Sequence, residues 1–144
     1  MNSNAQDSTR PSVLFVCVKN GGKSQMAAGL MKLEVGDSVT VTSAGTKPGS
    51  AVNALSAEVL QDLGADITTE EPTLLTEDDM RAAGNVVVIG TEAQVPEVNG
   101  VHVEVWETDE TSLRGIEGRE RMELVRDDIH SRVKELKQRL LSGR

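Results

Sequence analysis

Apolar residues along the chain fall into short continuous runs that predict strands. Ser12–Cys17 is one such run, and residues 86–89, Val-Val-Val-Ile, are the clearest. Residues 39–42 are β-branched, and valines at 101, 103 and 105 alternate with polar residues, which predicts a strand with one exposed face. Ile67 marks either a further strand or a connection. Short apolar runs bounded by turns are typical of strands buried in a parallel sheet.

Apolar side chains spaced by three and four residues predict helices between these strands. Ser24 is expected to cap the first helix, and the second covers residues 52–63 and stops at Gly64. Thr76 begins a third helix, and residues 122–140 form the longest one. Strands alternating with helices predict an α/β domain with a parallel sheet of about four strands.

The length of 144 residues suits a single domain whose core needs no covalent support. We expect a disordered N-terminal extension over residues 1–11 and one domain over residues 12–144. The first ten residues are polar and lack the apolar centre of a secretory signal. Nor does any apolar run approach the ~18 residues of a membrane span. These features predict a cytoplasmic protein.

Composition excludes several classes of function. The net charge of −8 argues against nucleic acid and anionic membranes as partners, since both require a basic face. The aromatic residues Phe15 and Trp106 are too few for a base-stacking surface. Cys17 is the only cysteine, so the chain cannot form an intrachain disulfide, and with His102 and His130 it makes a metal site improbable.

The loop after the first strand carries the candidate chemistry. Its residues are Cys17, Val18, Lys19, Asn20, Gly21, Gly22, Lys23 and Ser24. A glycine-containing loop that leads from a strand into a helix can turn its amides into one concavity, which binds a tetrahedral oxyanion. The same field favours the thiolate of Cys17, to which Ser24 can donate a hydrogen bond, while Lys23 adds a positive charge. The competing interpretation of Cys17 alone is a buried core cysteine.

A nucleotide-binding loop is the main rival interpretation of the same residues. Gly22-Lys23-Ser24 matches the end of the pattern Gly-x-x-x-x-Gly-Lys-Ser/Thr, but Cys17 occupies the place of its first glycine. The strand at 86–89 also runs into Gly-Thr-Glu and lacks an aspartate suited to hold magnesium. This interpretation is therefore disfavoured.

Residues 13–27 resemble the active-site segment of low-molecular-weight protein tyrosine phosphatases, and more closely that of their arsenate reductase relatives. The family motif Cys-x5-Arg-Ser with a central asparagine is matched by Cys17, Asn20 and Ser24, and Gln25-Met26-Ala27 is typical of the arsenate branch. Residues 43–46 and 64–66 are similar too, and the likeness spans residues 12–141. It implies a three-layer, flavodoxin-like topology and a nucleophilic role for Cys17 in an oxyanion loop over residues 18–24.

The resemblance also implies a general acid in a late loop. The family places an aspartate there, usually followed by proline and a few residues after an aromatic. Here Trp106 precedes Asp109, Glu110 and Thr111. Glu110 takes the position of the acid and Asp109 is its close competitor, whereas neighbouring carboxylates are otherwise usually a solvated loop. Trp106 is expected to anchor this loop by packing.

Two departures from the family pattern narrow the expected activity. Lys23 replaces the arginine, and a single ammonium cannot form the planar two-pronged contact that a guanidinium makes with an oxyanion. Lys19 can partly compensate. Thioredoxin-coupled arsenate reductases carry two further cysteines near residues 89–96, where this chain has none. The resemblance then points to the single-cysteine branch, which passes arsenate to an external thiol.

The expected function is therefore that of an arsenate–mycothiol transferase without a tightly bound cofactor. Arsenate, or phosphate in its place, binds the loop, Cys17 attacks arsenic, and mycothiol or another small thiol takes the arsenic group. A glutaredoxin-like mycoredoxin then acts downstream. A low-molecular-weight tyrosine phosphatase and a non-catalytic oxyanion-binding relative remain as alternatives.

Overall fold

A parallel four-stranded sheet forms the centre of the protein. The computed structural model of the chain describes residues 10–108 and 115–142. The strands are β1 (Ser12–Cys17), β2 (Thr40–Gly45), β3 (Asn85–Ile89) and β4 (His102–Trp106), arranged in the order β2-β1-β3-β4. All three neighbouring pairs are parallel, with Cys17 beside Gly45 and Val16 beside Val88. The prediction of a four-stranded parallel sheet is confirmed.

Helices cover both faces of this sheet and make a three-layer α/β domain. They are α1 (Lys23–Val35), α2 (Ala54–Gln61), α3 (Glu77–Ala83) and α4 (Gly118–Ser142). The larger core joins α1, α2 and α4 to one face of the sheet, on which Phe15 packs against Trp106 with ring centroids 5.7 Å apart. On the other face, Met80 of α3 packs with Leu14, Val16 and Val88. Trp106 is buried, as expected of a packing anchor.

Several predicted details change in the structure. Ser24 does not cap α1: the helix begins at Lys23 and Gly22 is its N-cap, because the Ser24 hydroxyl is used elsewhere. Of the two alternatives for Ile67 the structure shows the connection, in which the side chain is buried close to Gly29 of α1. The second helix ends at Gln61, and Gly64 supplies a left-handed turn with φ of 89° shortly afterwards.

Other predicted details agree with the structure. Thr76 caps α3 by accepting a hydrogen bond from the amide of Asp79 at 3.0 Å. By contrast, the prediction of one exposed polar face for β4 is wrong in part, because this edge strand leaves Val105 54% exposed while the side chain of Glu104 is 23% exposed. Within the described ranges, no helix is both long and apolar enough to cross a membrane. The extension predicted over residues 1–11 lies almost wholly outside the described residues.

Candidate active site

The loop that joins β1 to α1 lies at the carboxyl edge of the sheet. Cys17 is the last residue of β1 and is partly exposed, and the first turn of α1 follows six residues later. Gly45 ends β2 directly beside Cys17, so the segment that follows β2 begins next to the thiol. Ligands of open α/β sheets bind at this edge, which makes the loop the candidate active site.

Cys17 is held by two hydrogen-bonding groups of the loop. Its Sγ lies 2.9 Å from Ser24 Oγ and accepts from the backbone amide of Asn20 at 3.3 Å. Ser24 Oγ also accepts from Asn20 Nδ2 at 2.7 Å. In the 2.9 Å contact between Cys17 and Ser24 either atom can be the donor: Ser24 donates to a Cys17 thiolate and can accept from a Cys17 thiol. The sulfur of Cys17 thus has two hydrogen-bonding partners inside the loop.

Asn20 connects the loop to the rest of the domain. It is fully buried and has a left-handed backbone with φ of 53°, a conformation that asparagine tolerates better than most residues. Its Oδ1 accepts from the amide of Thr73 at 3.0 Å and from Gln25 Nε2 at 3.3 Å. The side chain of Asn20 therefore fixes the turn and orients Ser24 at the same time.

The segment after β2 binds the carbonyl groups of the loop. Thr46 donates to the carbonyl of Cys17 at 3.1 Å, and the amides of 47, 49 and 53 donate to those of 18, 19 and 21 at 2.8, 2.9 and 2.6 Å. The described peptide bonds are all trans. In a trans peptide the N–H points in the opposite direction from the C=O. Because these carbonyl groups of the loop point toward residues 46–53, the N–H groups of the same peptides point away from that segment. The amide of Asn20, which faces Cys17 Sγ, is one of them. Amides that face away from a supporting segment in this way are the groups that bind an oxyanion in a loop of this kind.

Two glycines permit this close approach of the two segments. A Cβ built on Gly45 would lie 2.6 Å from the Val18 carbonyl oxygen, and one on Gly21 would lie 2.8 Å from the Ala51 carbonyl oxygen. The sequence marks residues 43–46 only by their similarity to the family, and it does not predict a role for residues 46–53 or for Thr73. A glycine at the end of β2 was the one signal that a backbone passes close by.

Lys23 stands at the start of α1 and reaches across the edge of the sheet. Its Nζ lies 3.4 Å from Thr108 Oγ1, two residues after β4. Lys19 is exposed on the loop itself. The candidate acids Asp109 and Glu110 lie outside the described residues, so the structure brings together Cys17, Asn20, Ser24 and the loop glycines but leaves the acid unplaced.

The two histidines lie away from the loop. His102 is exposed 3.7 Å from Glu104, and His130 Nε2 lies 2.8 Å from Glu34 Oε2 at the contact of α1 with α4. Among the residues of 10–108 and 115–142, no group of three or more His, Cys, Asp or Glu side chains is placed to hold a metal ion. The described site offers hydrogen-bond donors and cations.

The family model for low molecular weight phosphotyrosine protein phosphatases matches residues 12–142. The chain belongs to this family. The match covers every strand and helix described above, so the oxyanion loop lies within the family's own domain.

Arsenate reductases are among the members of the family that this chain resembles. That of Bacillus cereus is 29% identical over 133 residues, covering 87% of this chain and 92% of its own. That of Staphylococcus aureus is 28% identical over 134 residues, covering 91% and 99%. A solved thioredoxin-dependent arsenate reductase of Corynebacterium glutamicum is 33% identical with a TM-score of 0.80, over 94% of this chain.

The chain spans 64% of the length of the Corynebacterium protein. Family and relatives together support an enzyme that acts as an arsenate reductase or a phosphatase.

Proposed function

We propose that this chain is an arsenate reductase that transfers arsenate to a small external thiol, with mycothiol as the thiol. The observation that carries the proposal is the hydrogen bonding of Cys17, whose sulfur lies 2.9 Å from Ser24 Oγ and accepts from the amide of Asn20 inside the loop between β1 and α1. Cys17 is also the only thiol of the chain. A reduced cytoplasm, where such a thiol stays free, is the proposed location.

The first step forms a bond between Cys17 and arsenic. Hydrogen arsenate binds to the amides of residues 18–24, and Lys23 and Lys19 neutralise its charge. The thiolate of Cys17 forms an S–As bond, one As–O bond breaks, and a proton converts the departing hydroxide to water. Glu110, with Asp109 as the alternative, is the proposed donor of that proton. Covalent catalysis needs the nucleophile and the oxyanion donors in one place, and this loop contains both.

The second step moves the arsenic group to the external thiol. The sulfur of mycothiol forms a new S–As bond, the bond to Cys17 breaks, the thiol proton passes to solvent, and Cys17 is again a thiolate. Arsenic stays pentavalent. A glutaredoxin-like mycoredoxin then attacks the sulfur of the adduct, the electron pair of the S–As bond goes to arsenic, and arsenite leaves with a mixed disulfide behind. No tightly bound cofactor takes part in this proposal.

The single thiol favours this route over an internal disulfide. The Corynebacterium relative is thioredoxin-dependent, and thioredoxin reduces a protein disulfide, which needs two sulfurs. This chain has only Cys17. Its arsenic group must therefore be taken by a thiol from outside the chain.

The test is arsenate-dependent oxidation of NADPH in an assay that supplies mycothiol, its glutaredoxin and the matching reductase. Turnover is expected only with mycothiol, and Cys17→Ser is expected to abolish it because the nucleophile is lost. A parallel reaction replaces mycothiol by thioredoxin and its reductase. Turnover in that reaction, or turnover that survives Cys17→Ser, would contradict the proposal.

A phosphatase is the second candidate, favoured by the family itself. The same loop and the same nucleophile can hydrolyse a phosphate ester through a phosphocysteine. Hydrolysis of p-nitrophenyl phosphate by the purified chain distinguishes the two activities. We expect it to be slow because Lys23 makes a poorer clamp for the transferring group than arginine.

A further inference from the structure

A second cavity adjoins the oxyanion loop at the carboxyl edge of the sheet. Its volume is about 550 Å³, and it is lined by Val18, Thr46, Lys47, Glu92 and Gln94. The walls of this cavity, which we call the edge cavity, come from three places that follow β1, β2 and β3 in turn. It therefore lies where the ends of three neighbouring strands meet.

Backbone contacts place the edge cavity beside Cys17. Thr46 donates its amide to the carbonyl of Cys17, and Lys47 donates to that of Val18. On the opposite wall, Glu92 Oε1 folds back to 3.2 Å from the position of a Cβ on Gly90, whose φ is 92°. Val16 pairs with Val88, so Val18 and Gly90 leave the sheet at the same level. A molecule in the cavity is thus next to the residue that follows the nucleophile.

The polar side-chain groups that line the edge cavity have no hydrogen-bonding partner among the described residues. They are the hydroxyl of Thr46, the ammonium of Lys47, the carboxylate of Glu92 and the amide of Gln94. None of the four makes a side-chain hydrogen bond or ion pair with any part of the chain that the structure describes. A set that both donates and accepts suits ligand hydroxyl groups, each of which is a donor and an acceptor.

Charge and volume narrow the class of ligand further. Glu92 would repel an anion and Lys47 would repel a cation, which favours an uncharged molecule. A volume of about 550 Å³ falls within the roughly 300–1,000 Å³ of sites that hold small organic ligands. A tetrahedral oxyanion alone would leave most of it empty.

We propose that the edge cavity binds the polyhydroxylated part of the thiol co-substrate, so that the thiol's sulfur is held beside Cys17. This inference rests on the proposed transfer to an external thiol and assigns the site from which that thiol acts. Thr46, Lys47, Glu92 and Gln94 are then its specificity-determining residues.

A neighbouring cavity of about 590 Å³ offers a different set of groups. It is lined by Lys19, Lys47 and the uncharged residues 21, 22, 48–51 and 53. Two cations and no carboxylate would suit an anionic thiol. Binding there is the alternative outcome that the experiment must separate from binding in the edge cavity.

The experiment titrates the intact protein with mycothiol alone and, separately, with N-acetylcysteine in the form of its uncharged amide, which has a similar thiol head without the rings. Binding is followed by calorimetry and by the amide resonances of the loop and edge-cavity residues. We expect mycothiol to bind at least tenfold more tightly than N-acetylcysteine amide and to shift amides at 46, 47, 92 and 94. Equal affinities, or shifts confined to residues 19–22 and 48–51, would overturn the inference.

Substitutions of residues that line the edge cavity test whether those residues contribute to the binding of mycothiol. Gln94→Ala and Glu92→Gln are each expected to weaken mycothiol at least fivefold and to leave the affinity for inorganic phosphate unchanged. Glu97→Gln, an exposed carboxyl on the same segment that does not line the cavity, is the matched control and should bind mycothiol as the original chain does. Variants that bind mycothiol like the control would refute the site.

The same measurements separate this inference from the proposed function. Mycothiol binding that is lost in the variants, without arsenate-dependent turnover, would keep the site and reject the transferase. Turnover whose KM for mycothiol is unaffected by Glu92→Gln and Gln94→Ala would keep the transferase and reject the site.

Discussion

Lys23 differs from the family arginine in the number of hydrogen bonds that it can direct at one oxyanion. It begins α1, and its ammonium lies near Thr108 across the edge of the sheet. An ammonium is a compact charge, whereas a guanidinium binds two oxygens at once. We therefore expect this side chain to set part of the affinity of the loop for an oxyanion.

We expect Lys23→Arg to raise phosphate affinity about tenfold, since one additional charge-assisted hydrogen bond contributes about 1.5 kcal/mol. Hydrolysis of p-nitrophenyl phosphate should rise in parallel. Calorimetry measures the affinity for phosphate, and the rate of p-nitrophenyl phosphate hydrolysis measures the activity. Lys32→Arg, near the other end of the same helix, is the control. No gain in either measurement would mean that the side chain at 23 does not reach the anion.

Asn20 has two separable roles, one in its backbone and one in its side chain. Asn20→Gly and Asn20→Ala both remove the bonds to Thr73 and Ser24, and both should lower turnover. Alanine, unlike glycine, has a Cβ and is therefore strained at the φ of 53° that this position adopts. We expect the free energy of unfolding of Asn20→Ala to be about 1 kcal/mol below that of Asn20→Gly. Denaturant titrations compare the two, and equal values would argue against strain at this position.

At the scale of the elements, the end of β2 can pack closely against the loop between β1 and α1 because Gly45 has no side chain. In Gly45→Ala the new Cβ would meet the Val18 carbonyl oxygen and Asn20 Cβ, at 2.6 and 2.9 Å. We expect a loss of about 1–3 kcal/mol of stability and weaker phosphate binding, because the loop must move. Thermal unfolding and phosphate calorimetry measure the two effects.

Gly49→Ala is the matched control for this change. Its nearest neighbour would be Lys19 Cβ at 3.8 Å, an ordinary contact, and its backbone is compatible with alanine. Stability should therefore stay within about 0.5 kcal/mol of the original. A Gly45→Ala protein as stable as this control would show that the two segments can separate without cost.

The elements themselves were predictable because their signals are local. Apolar runs indicate β1 and β3, and the three-and-four spacing indicates α4, since burial of one face leaves a period in the sequence. The cysteine loop was predictable for a similar reason: its glycines, lysine and serine are close in sequence. The sequence therefore predicted the sheet and the centre of the site.

The features that the sequence did not predict are formed by backbone groups, or by residue types that have two possible structural roles. Residues 46–53 bind the loop through amides, which every residue but proline has, so no residue type identifies them. Ser24 is a residue type that caps helices, but its hydroxyl forms hydrogen bonds with Cys17 and Asn20 instead. Each of these depends on contacts between distant parts of the chain.

At the scale of the whole molecule, the edge strand β4 is bound to the end of α4. Arg139 makes two hydrogen bonds to Glu104, at 3.1 and 3.0 Å, and Trp106 Nε1 makes another at 2.9 Å. The bonds from Arg139, more than the burial that opposes them, lower the pKa of Glu104 below its ordinary value of 4.5. The carboxylate of Glu104 thereby links β4 to α4, although the two elements are 12 or more residues apart in the sequence.

We expect Glu104→Gln to destabilise the protein by about 1 kcal/mol at pH 7, a modest value because Arg139 is half exposed. A lowered pKa in the folded state contributes stability above pH 4.5, and that stability is lost as the pH falls through the folded value. The difference from the original chain should therefore shrink in acid. Thermal unfolding from pH 7 to pH 3 tests this. A constant difference would mean that the charge is irrelevant.

The exposed pair Glu77–Arg81 provides the control for that series. Glu77→Gln should change stability by at most about 0.5 kcal/mol at any pH, because an exposed pair on one helix contributes little. A loss as large as that of Glu104→Gln would show that the effect is one of net charge, which is −8 for the chain.

The close fit of residues 46–53 to the oxyanion loop has a consequence for protein engineering. Connections between elements usually accept peptide tags and changes of length, because their amides face water. Here four amides of one connection are committed to four carbonyls in fixed order. One inserted residue would put every later donor out of step with its acceptor. Anyone transplanting the cysteine loop into another scaffold would have to transplant this second piece of chain with it.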